Sequence, residues 1–242
     1  MTYCVAVKLK QGLVMASDSR TNAGIDHLAT FRKMSVFQAE DRILVLLSAG
    51  NLATTQSVVS LLQQQIGSQD DHLENVHSLY DAASLVGSTL RTYLSRHAER
   101  NELDSGVDYS CTFILGGSIK GHEHRLFTIY PQGNFIEASE DTPYFQIGES
   151  KYGKPILDRV IRYDTNMMQA VKCVLVSFDS TIRSNLSVGL PLDILLIHEQ
   201  EIKPSLQHRF LDGDPYLVSL RESWSQGLKT LFQSIPEPPW TI

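Results

Sequence analysis

Residue 2 is the first in the chain whose chemistry could support catalysis. Removal of the initiator Met1 would leave Thr2 with a hydroxyl group and a free α-amine on the same residue. The hydroxyl of threonine is a weak nucleophile by itself, and an N-terminal amine is a base that can activate it. Because the reference pKa of an α-amine is about 7.7–8.0, such a base would be available near neutral pH. A threonine after the initiator is common by chance, so this interpretation depends on the residues around it.

Two charged residues at the ends of predicted strands could support Thr2. Asp18 closes the second strand and Lys33 lies on the third. If the first two strands form a hairpin, Asp18 and Thr2 can lie near the same edge of the sheet. A lysine beside an α-amine lowers the pKa of that amine by like-charge repulsion, and an aspartate keeps the lysine charged and oriented. A surface salt bridge is the alternative interpretation of this pair.

A strand-to-helix junction could supply hydrogen-bond donors to a reaction intermediate. The segment Ser48-Ala49-Gly50-Asn51 lies where a predicted strand ends and a predicted helix begins. Backbone N–H groups there, with Gly50 permitting close approach, could form an oxyanion hole. An ordinary turn explains the same residues in purely structural terms.

The hydrophobic patterns predict groups of strands interrupted by groups of helices. The predicted strands cover residues 3–9, 13–16, 31–37, 42–48, 109–115, 126–130, 135–138 and 192–198. The predicted helices cover 52–66, 79–100, 154–163 and 166–180, and a last helix begins at Asp214-Pro215 and ends before Pro236. This order favours one α+β domain in which packed sheets carry their helices on the outside.

Composition excludes several classes of protein. The chain has 242 residues, of which 42% are hydrophobic and 20% are charged, and its net charge is −6. The apolar content excludes disorder, and the acidic balance supplies no footprint for nucleic acid or anionic lipid. No run approaches the ~18 apolar residues of a membrane span, and no signal-peptide core is present, so we expect a cytoplasmic protein. Cys4, Cys111 and Cys173 are scattered, which predicts reduced, buried thiols.

The motifs near the start of the chain resemble those of proteasome β subunits, which belong to the N-terminal-nucleophile hydrolases. The resemblance extends to about His198 and rests on Thr2, Gly12 to Arg20, Ala23-Gly24, Lys33 and Ser48-Ala49-Gly50. The Met-Thr-Tyr-Cys opening, the segment Asp18 to Gly24 and the long C-terminal extension look most like the bacterial Anbu (ancestral β subunit) family. The resemblance implies a four-layer helix–sheet–sheet–helix sandwich. Its core would span about 1–205, followed by a C-terminal helical extension at about 206–242 of the same single domain.

The resemblance also assigns roles to individual residues. Thr2 would be the nucleophile and the amine base, Asp18 and Lys33 its supporting charged pair, and Gly50 the oxyanion donor. Typical β subunits carry a Gly-Ser-Gly element and a later Asp-x-x-Ser element near the nucleophile. The candidates here are Glu149 or Ser150 for the first element, and Asp179 with Ser184 or Ser187 for the second. A helix C-terminus rich in local hydrogen bonds explains the second set structurally.

The resemblance implies a hydrolase of peptide or other amide bonds that works inside a self-assembled homo-oligomer and requires no metal or organic cofactor. Thr2 would attack the carbonyl and form an ester that water then hydrolyses. Whether an unfoldase partner takes part is left open. The alternatives are a catalytically silent assembly of the same fold and a selective hydrolase of one small amide or isopeptide.

Two further patterns have competing interpretations. His122 and His124 have the spacing of metal ligands on one face of a strand, but solvated loop residues are favoured because a third ligand is lacking. The apolar face of the C-terminal helix, which passes through Trp224, predicts either docking on its own core or a subunit contact.

Overall fold

The computed structural model describes residues 2–22, 28–98 and 108–240, so the Ala23-Gly24 motif lies outside the described residues. The strands are β1 Tyr3–Leu9, β2 Gly12–Asp18, β3 Arg20–Asn22, β4 Leu28–Thr30, β5 Met34–Ala39, β6 Arg42–Gly50, β7 Cys111–Ile119, β8 Arg125–Ile129, β9 Phe135–Glu137, β10 Tyr144–Gly148, β11 Leu192–His198 and β12 Leu206–Phe210. The helices are α1 Leu52–Gln65, α2 Leu79–Ala98, α3 Lys154–Val160, α4 Met167–Ser184 and α5 Pro215–Ser234.

Two antiparallel five-stranded sheets pack face to face between layers of helices. The first sheet has the order β10-β1-β2-β11-β12, and the second has the order β5-β6-β7-β8-β9. Side chains such as Met15 and Val45 fill the space between the sheets. On the outside, α3 and α4 cover the first sheet, and α1 and α2 cover the second. The helix–sheet–sheet–helix sandwich implied by the resemblance is therefore confirmed.

Strand β6 shows why the sequence reads as apolar on both faces. Successive side chains of a strand point to opposite faces of the sheet. Ile43 and Val45 face the other sheet, whereas Leu44 and Leu46 face α1 and α2. A strand covered on both sides favours apolar side chains at successive positions, which explains the uninterrupted run from Ile43 to Leu47.

The helix ends follow local capping signals. The Oδ1 atom of Asn51 accepts the N–H of Thr54 at 3.1 Å, so that α1 starts directly after β6. The carboxylate of Asp214 accepts two N–H groups in the first turn of α5, and Pro215 occupies the first helical position as predicted. The helix α4 was predicted to end near Ser180 but continues to Ser184. That extension changes which residues of this region reach the site.

Segments β3, β4, β10 and β12 are the strands that hydrophobic patterns did not predict. Each of β10 and β12 lies at an edge of the first sheet, where half of the pairing surface faces away from a neighbour. Edge strands tolerate polar residues, and both contain glutamine near the middle, so their alternation is weak. Strand β10 matters most, because its end lies opposite the start of β1.

The structure also tests the predictions for the cysteines and for the histidine pair. All three cysteines are free and buried. The expectation of a solvated loop is wrong for His124, which is buried and whose Nε2 lies 2.8 Å from the carbonyl oxygen of Leu9, while His122 is exposed. Within the described ranges, we find no group of three or more His, Cys, Asp or Glu side chains that could hold a metal ion. No helix in the described part of the chain is long and apolar enough to cross a membrane.

Candidate active site

The hairpin of β1 and β2 brings the start of the chain next to Asp18. The register pairs Cys4 with Ser17, so the first residue of β1 and the last residue of β2 lie side by side at the same end of the sheet. The N–H of Tyr3 donates to Oδ1 of Asp18 at 3.0 Å. Asp18 therefore holds the peptide group that directly follows Thr2.

Asp18 and Lys33 form a buried ion pair rather than a surface salt bridge. The Nζ atom of Lys33 lies 2.7 Å from Oδ1 of Asp18 and 2.6 Å from the carbonyl oxygen of Arg20. The side chain of Lys33 is 7% exposed and that of Asp18 is 0% exposed. Burial raises the pKa of Asp18, and the ammonium group of Lys33 and the N–H groups of Tyr3 and Gly189 oppose that rise. The attraction between these opposite charges partly offsets the cost of burying Asp18.

Strand β10 fixes the backbone of Thr2 from the other side. The N–H of Glu149 donates to the carbonyl oxygen of Thr2 at 2.7 Å. This approach requires glycine at the preceding position, because a Cβ on Gly148 would lie 1.9 Å from the same oxygen. Gly148 also has φ +82°, a conformation that favours glycine. The Thr2–Tyr3 peptide group is thus held at its oxygen by Glu149 and at its nitrogen by Asp18.

Thr2 borders a cavity of about 390 Å³. Lys33 and Gly50 line the same cavity, together with Thr21, Ser48, Ala49, Leu52, Thr55 and Gly148. Gly50 ends β6 with φ +117°, and a Cβ there would lie 2.5 Å from the carbonyl oxygen of Ser110. The adjacent N-terminus of α1 carries a partial positive charge that favours a negative group in this cavity.

Tyr3 anchors the first strand beneath Thr2. Its hydroxyl group lies 3.1 Å from Oγ of Ser177 on α4 and accepts a hydrogen bond from Nε2 of Gln146 at 2.6 Å. The ring packs against Phe178 with 4.6 Å between the ring centroids. Burial raises the pKa of the Tyr3 phenol, so the hydroxyl stays neutral. A fully buried, hydrogen-bonded residue next to Thr2 restricts the movement of the start of the chain.

Of the two candidates after Gly148, Glu149 is the one next to Thr2. Its side chain is buried, and its Oε2 atom accepts a hydrogen bond from Nδ2 of Asn185 at 2.9 Å. Ser150 instead lines a neighbouring cleft between β10 and α3, which also contains Tyr144 and Lys154. The structure therefore separates Ser150 from the Thr2 cavity.

The structure also separates Asp179 from Thr2. Because α4 continues past Ser180, Asp179 lies within the helix, and its carboxylate accepts a hydrogen bond from Nε of Arg221 on α5 at 2.7 Å. Ser184 lines the same α4–α5 groove as Asp179. Asn185, which follows α4, reaches Glu149 instead.

Ser187 lies in the loop that follows α4. Its N–H donates to Oδ1 of Asn185 at 2.9 Å, so the two residues form one local turn. Arg20 holds this loop by donating from Nη1 to the carbonyl oxygen of Leu186 at 3.1 Å. The same loop presents the N–H of Gly189 to Oδ2 of Asp18 at 3.4 Å. Asn185 was missed by sequence reasoning, and its position as the residue capping a longer α4 is the signal that could have found it.

Comparisons with known proteins agree with this architecture. The model of the proteasome subunit family matches residues 2–195. The proteasome subunit beta 2 of Pyrobaculum calidifontis is 24% identical over 207 residues, which cover 82% of this chain and 92% of the relative.

Solved Anbu structures are more similar. Anbu (ancestral beta-subunit) from Yersinia bercovieri is 54% identical, with a TM-score of 0.91, over 98% of this chain and 100% of that chain. Anbu from Pseudomonas aeruginosa, solved as a helical assembly of the Anbu complex, is also 54% identical, with a TM-score of 0.93 over 98% of both chains. The chain described here therefore belongs to the proteasome subunit family and, within it, to the Anbu (ancestral β subunit) group.

Proposed function

We propose that this chain is a threonine-type peptidase or amide hydrolase, with Thr2 as its nucleophile after removal of Met1. The observation that carries the proposal is the shared cavity of Thr2, Lys33 and Gly50, below which Lys33 and Asp18 form a buried pair at 2.7 Å. Hydrolysis is the general activity expected of a proteasome β-subunit relative. The threonine mechanism goes beyond that expectation and rests on the site.

The reaction proceeds in two half-reactions. The Oγ atom of Thr2 attacks the carbonyl carbon of the amide, and its proton passes to the α-amine of the same residue. The C–N bond then breaks, the leaving amine takes that proton, and an ester to Thr2 remains. Water attacks the ester and gives one proton to the α-amine. The ester C–O bond breaks, the proton returns to Oγ, and the carboxylic acid leaves.

The surrounding residues have separate roles in this mechanism. Lys33 supplies a positive charge near Oγ, which stabilises the developing alkoxide, and Asp18 keeps Lys33 charged and oriented. The N–H of Gly50 and the N-terminus of α1 favour the negative oxygen of the tetrahedral intermediate. Removal of a single oxyanion donor costs about 10²–10³ in rate in other hydrolases.

We also propose that the chain assembles with copies of itself through α5. The first half of α5 docks on its own core through Leu217 and Leu220, with Trp224 partly buried beside them. The second half exposes apolar side chains, of which Phe232 is 76% and Leu231 is 61% exposed. An exposed stripe of this kind marks an interaction surface. The helical assembly of the P. aeruginosa relative supports a partner that is a second copy of the chain.

The experiment that tests the catalytic proposal begins with the intact mass of the purified protein, which reports whether Met1 is removed. A library of peptide and small-amide substrates is then screened against the processed protein, Thr2→Ala and Thr2→Ser. We expect hydrolysis by the processed protein, loss of it in Thr2→Ala, and partial retention in Thr2→Ser because serine keeps a hydroxyl nucleophile.

Three outcomes would contradict the proposal. Retention of Met1 in cells excludes a free α-amine on Thr2. Unchanged turnover by Thr2→Ala excludes Thr2 as the nucleophile. Absence of hydrolysis by a processed and assembled protein favours the silent structural assembly. Turnover that is restricted to small amides and lost in Thr2→Ala agrees with the proposal and identifies the selective hydrolase.

A further inference from the structure

The carboxylate of Glu149 stands out because it is buried without a cationic side chain to balance it. Glu149 is 7% exposed. Its contacts are the neutral amide of Asn185 at 2.9 Å and the N–H of Lys151 at 3.4 Å. Each ion pair found among the described residues involves a different carboxylate. A charge buried in this way is unfavourable unless an opposite charge compensates it.

The position of Glu149 relative to Thr2 indicates where such a charge would come from. In the antiparallel register, Tyr3 pairs with Gly148, so Thr2 and Glu149 are the next opposed positions. The N–H of Glu149 already contacts the carbonyl oxygen of Thr2 at 2.7 Å. Removal of Met1 would create an ammonium group on Thr2, the residue that the register places opposite Glu149.

We propose that Glu149 is the counter-ion of the α-ammonium group of Thr2 and that Asn185 orients it for this contact. The inference rests on the proposed function in one respect, the removal of Met1. It goes beyond that function because it makes the carboxylate of Glu149 a positioning group that controls when the amine can act as a base.

The charged groups around Thr2 favour a protonated α-amine over a neutral one. Among the described residues, the charged groups on the elements packed around Thr2 are Asp18, Lys33 and Glu149, with Arg20 and Lys151 nearby. Lys33 alone would repel an ammonium group, but its charge is largely cancelled by Asp18 at 2.7 Å. The side chain of Arg20 is directed to the carbonyl oxygen of Leu186, and Lys151 is exposed. Glu149 therefore leaves a net negative charge at Thr2.

A net negative charge keeps the α-amine protonated to higher pH. An opposite charge within about 4–6 Å shifts a pKa by about 1–3 units toward the charged form. Because the mechanism needs the free amine, the protein would be latent near neutral pH and gain activity as the pH rises. A β subunit with serine at this position lacks this restraint.

The test measures titration of the α-amine without requiring turnover. The processed protein, with Thr2 confirmed as its first residue by mass spectrometry, is labelled with a trace of acetic anhydride from pH 5 to pH 10. Acetylation of the N-terminal peptide is then quantified against an internal amine standard. The same titration is run on Glu149→Gln, which keeps the shape but removes the charge, and on Glu149→Ser. The control is Glu137→Gln, which removes a carboxylate from β9 on the other sheet.

We expect the midpoint of the wild-type protein to lie about one pH unit or more above the midpoints of both Glu149 variants. The Glu137→Gln control should titrate like the wild type. Equal midpoints in the wild type and the Glu149 variants would overturn the proposal. If neither variant folds, a wild-type midpoint at or below about 7.7–8.0, the ordinary range of an α-amine, overturns it, and a higher midpoint supports it. Because no substrate is used, a failure of amide hydrolysis leaves this result unaffected.

Discussion

Replacement of Lys33 by methionine tests the buried charge pair on which the candidate site depends. Methionine keeps most of the apolar stem of lysine but removes the ammonium group that lies 2.7 Å from Asp18. Asp18 would retain the N–H groups of Tyr3 and Gly189 and lose its only charged partner among the described contacts. Loss of one partner from a buried pair costs about 3–5 kcal/mol, because the other charge is left uncompensated.

The pH dependence gives this prediction a specific sign. Burial already raises the pKa of Asp18, and Lys33 opposes that rise. Without Lys33, the pKa of Asp18 in the folded state rises further above its value in the unfolded chain. A carboxyl group with a raised pKa destabilises the fold at high pH, where it must be charged. The loss caused by Lys33→Met should therefore be largest at pH 8 and shrink as the pH falls through the raised pKa.

The assay is urea unfolding of the wild type and Lys33→Met at several pH values, at one fixed protomer concentration because assembly also contributes to stability. The matched control is Arg125→Met, which removes a cation from the pair with Glu137, where both side chains are about one-third exposed. The cost there should be about 0–1 kcal/mol. Similar losses for both variants, or a Lys33→Met loss that grows toward low pH, would refute the argument.

Three more substitutions test other parts of the structure. Gly148→Ala should destabilise the fold by about 1–3 kcal/mol in urea unfolding, because the new Cβ meets the carbonyl oxygen of Thr2 in a strained conformation; an unchanged midpoint would contradict the close approach. Tyr3→Phe should cost about 1–3 kcal/mol by the same assay, since it leaves the buried hydroxyl of Ser177 and the half-buried amide of Gln146 without their shared partner. Phe232→Asp should lower the assembly mass in light scattering, while the free energy of unfolding of the protomer changes by less than about 0.5 kcal/mol. An unchanged mass would argue against α5 as the contact between copies of the chain.

The parts of the fold that the sequence predicted are those with a strong local signal. The apolar runs in β1 and β6 and the Asp214-Pro215 start of α5 each follow from burial or capping within one segment. The nearness of Asp18 to the start of the chain also follows from local information, because a hairpin with a short turn fixes its own register. Strand β10 is not local in this sense, since it pairs with β1 across more than half of the chain and carries polar residues at an edge.

The same distinction explains the candidate site. Asp179 is a candidate for the Asp-x-x-Ser element because the sequence predicts that α4 ends near it, which would place its carboxylate at the start of a loop. The actual end of α4 lies further on, and an apolar face with a compatible period gives little information about where a helix stops. Asn185 replaces Asp179 beside Glu149 through this shift in the boundary. The predicted boundary lies one helical turn too early, so the structure places Asp179 within α4 and Asn185 directly after it.

The hydrogen bond from Asn185 to Glu149 bears on how the α-amine of Thr2 would be oriented and protonated. Where the resemblance leads us to expect a serine near the nucleophile and a carboxylate after the second helical pair, the chain has a carboxylate at the first position and an amide at the second. In our proposal, the negative charge near Thr2 therefore lies on the β10 side, on the residue whose N–H donates to the carbonyl oxygen of Thr2. An ammonium group bound there would be oriented by the same residue that fixes the backbone, so position and protonation of the amine would change together. For this reason, a substitution at Glu149 that retains the backbone contact but removes the charge separates the two effects, which no substitution of Thr2 can do.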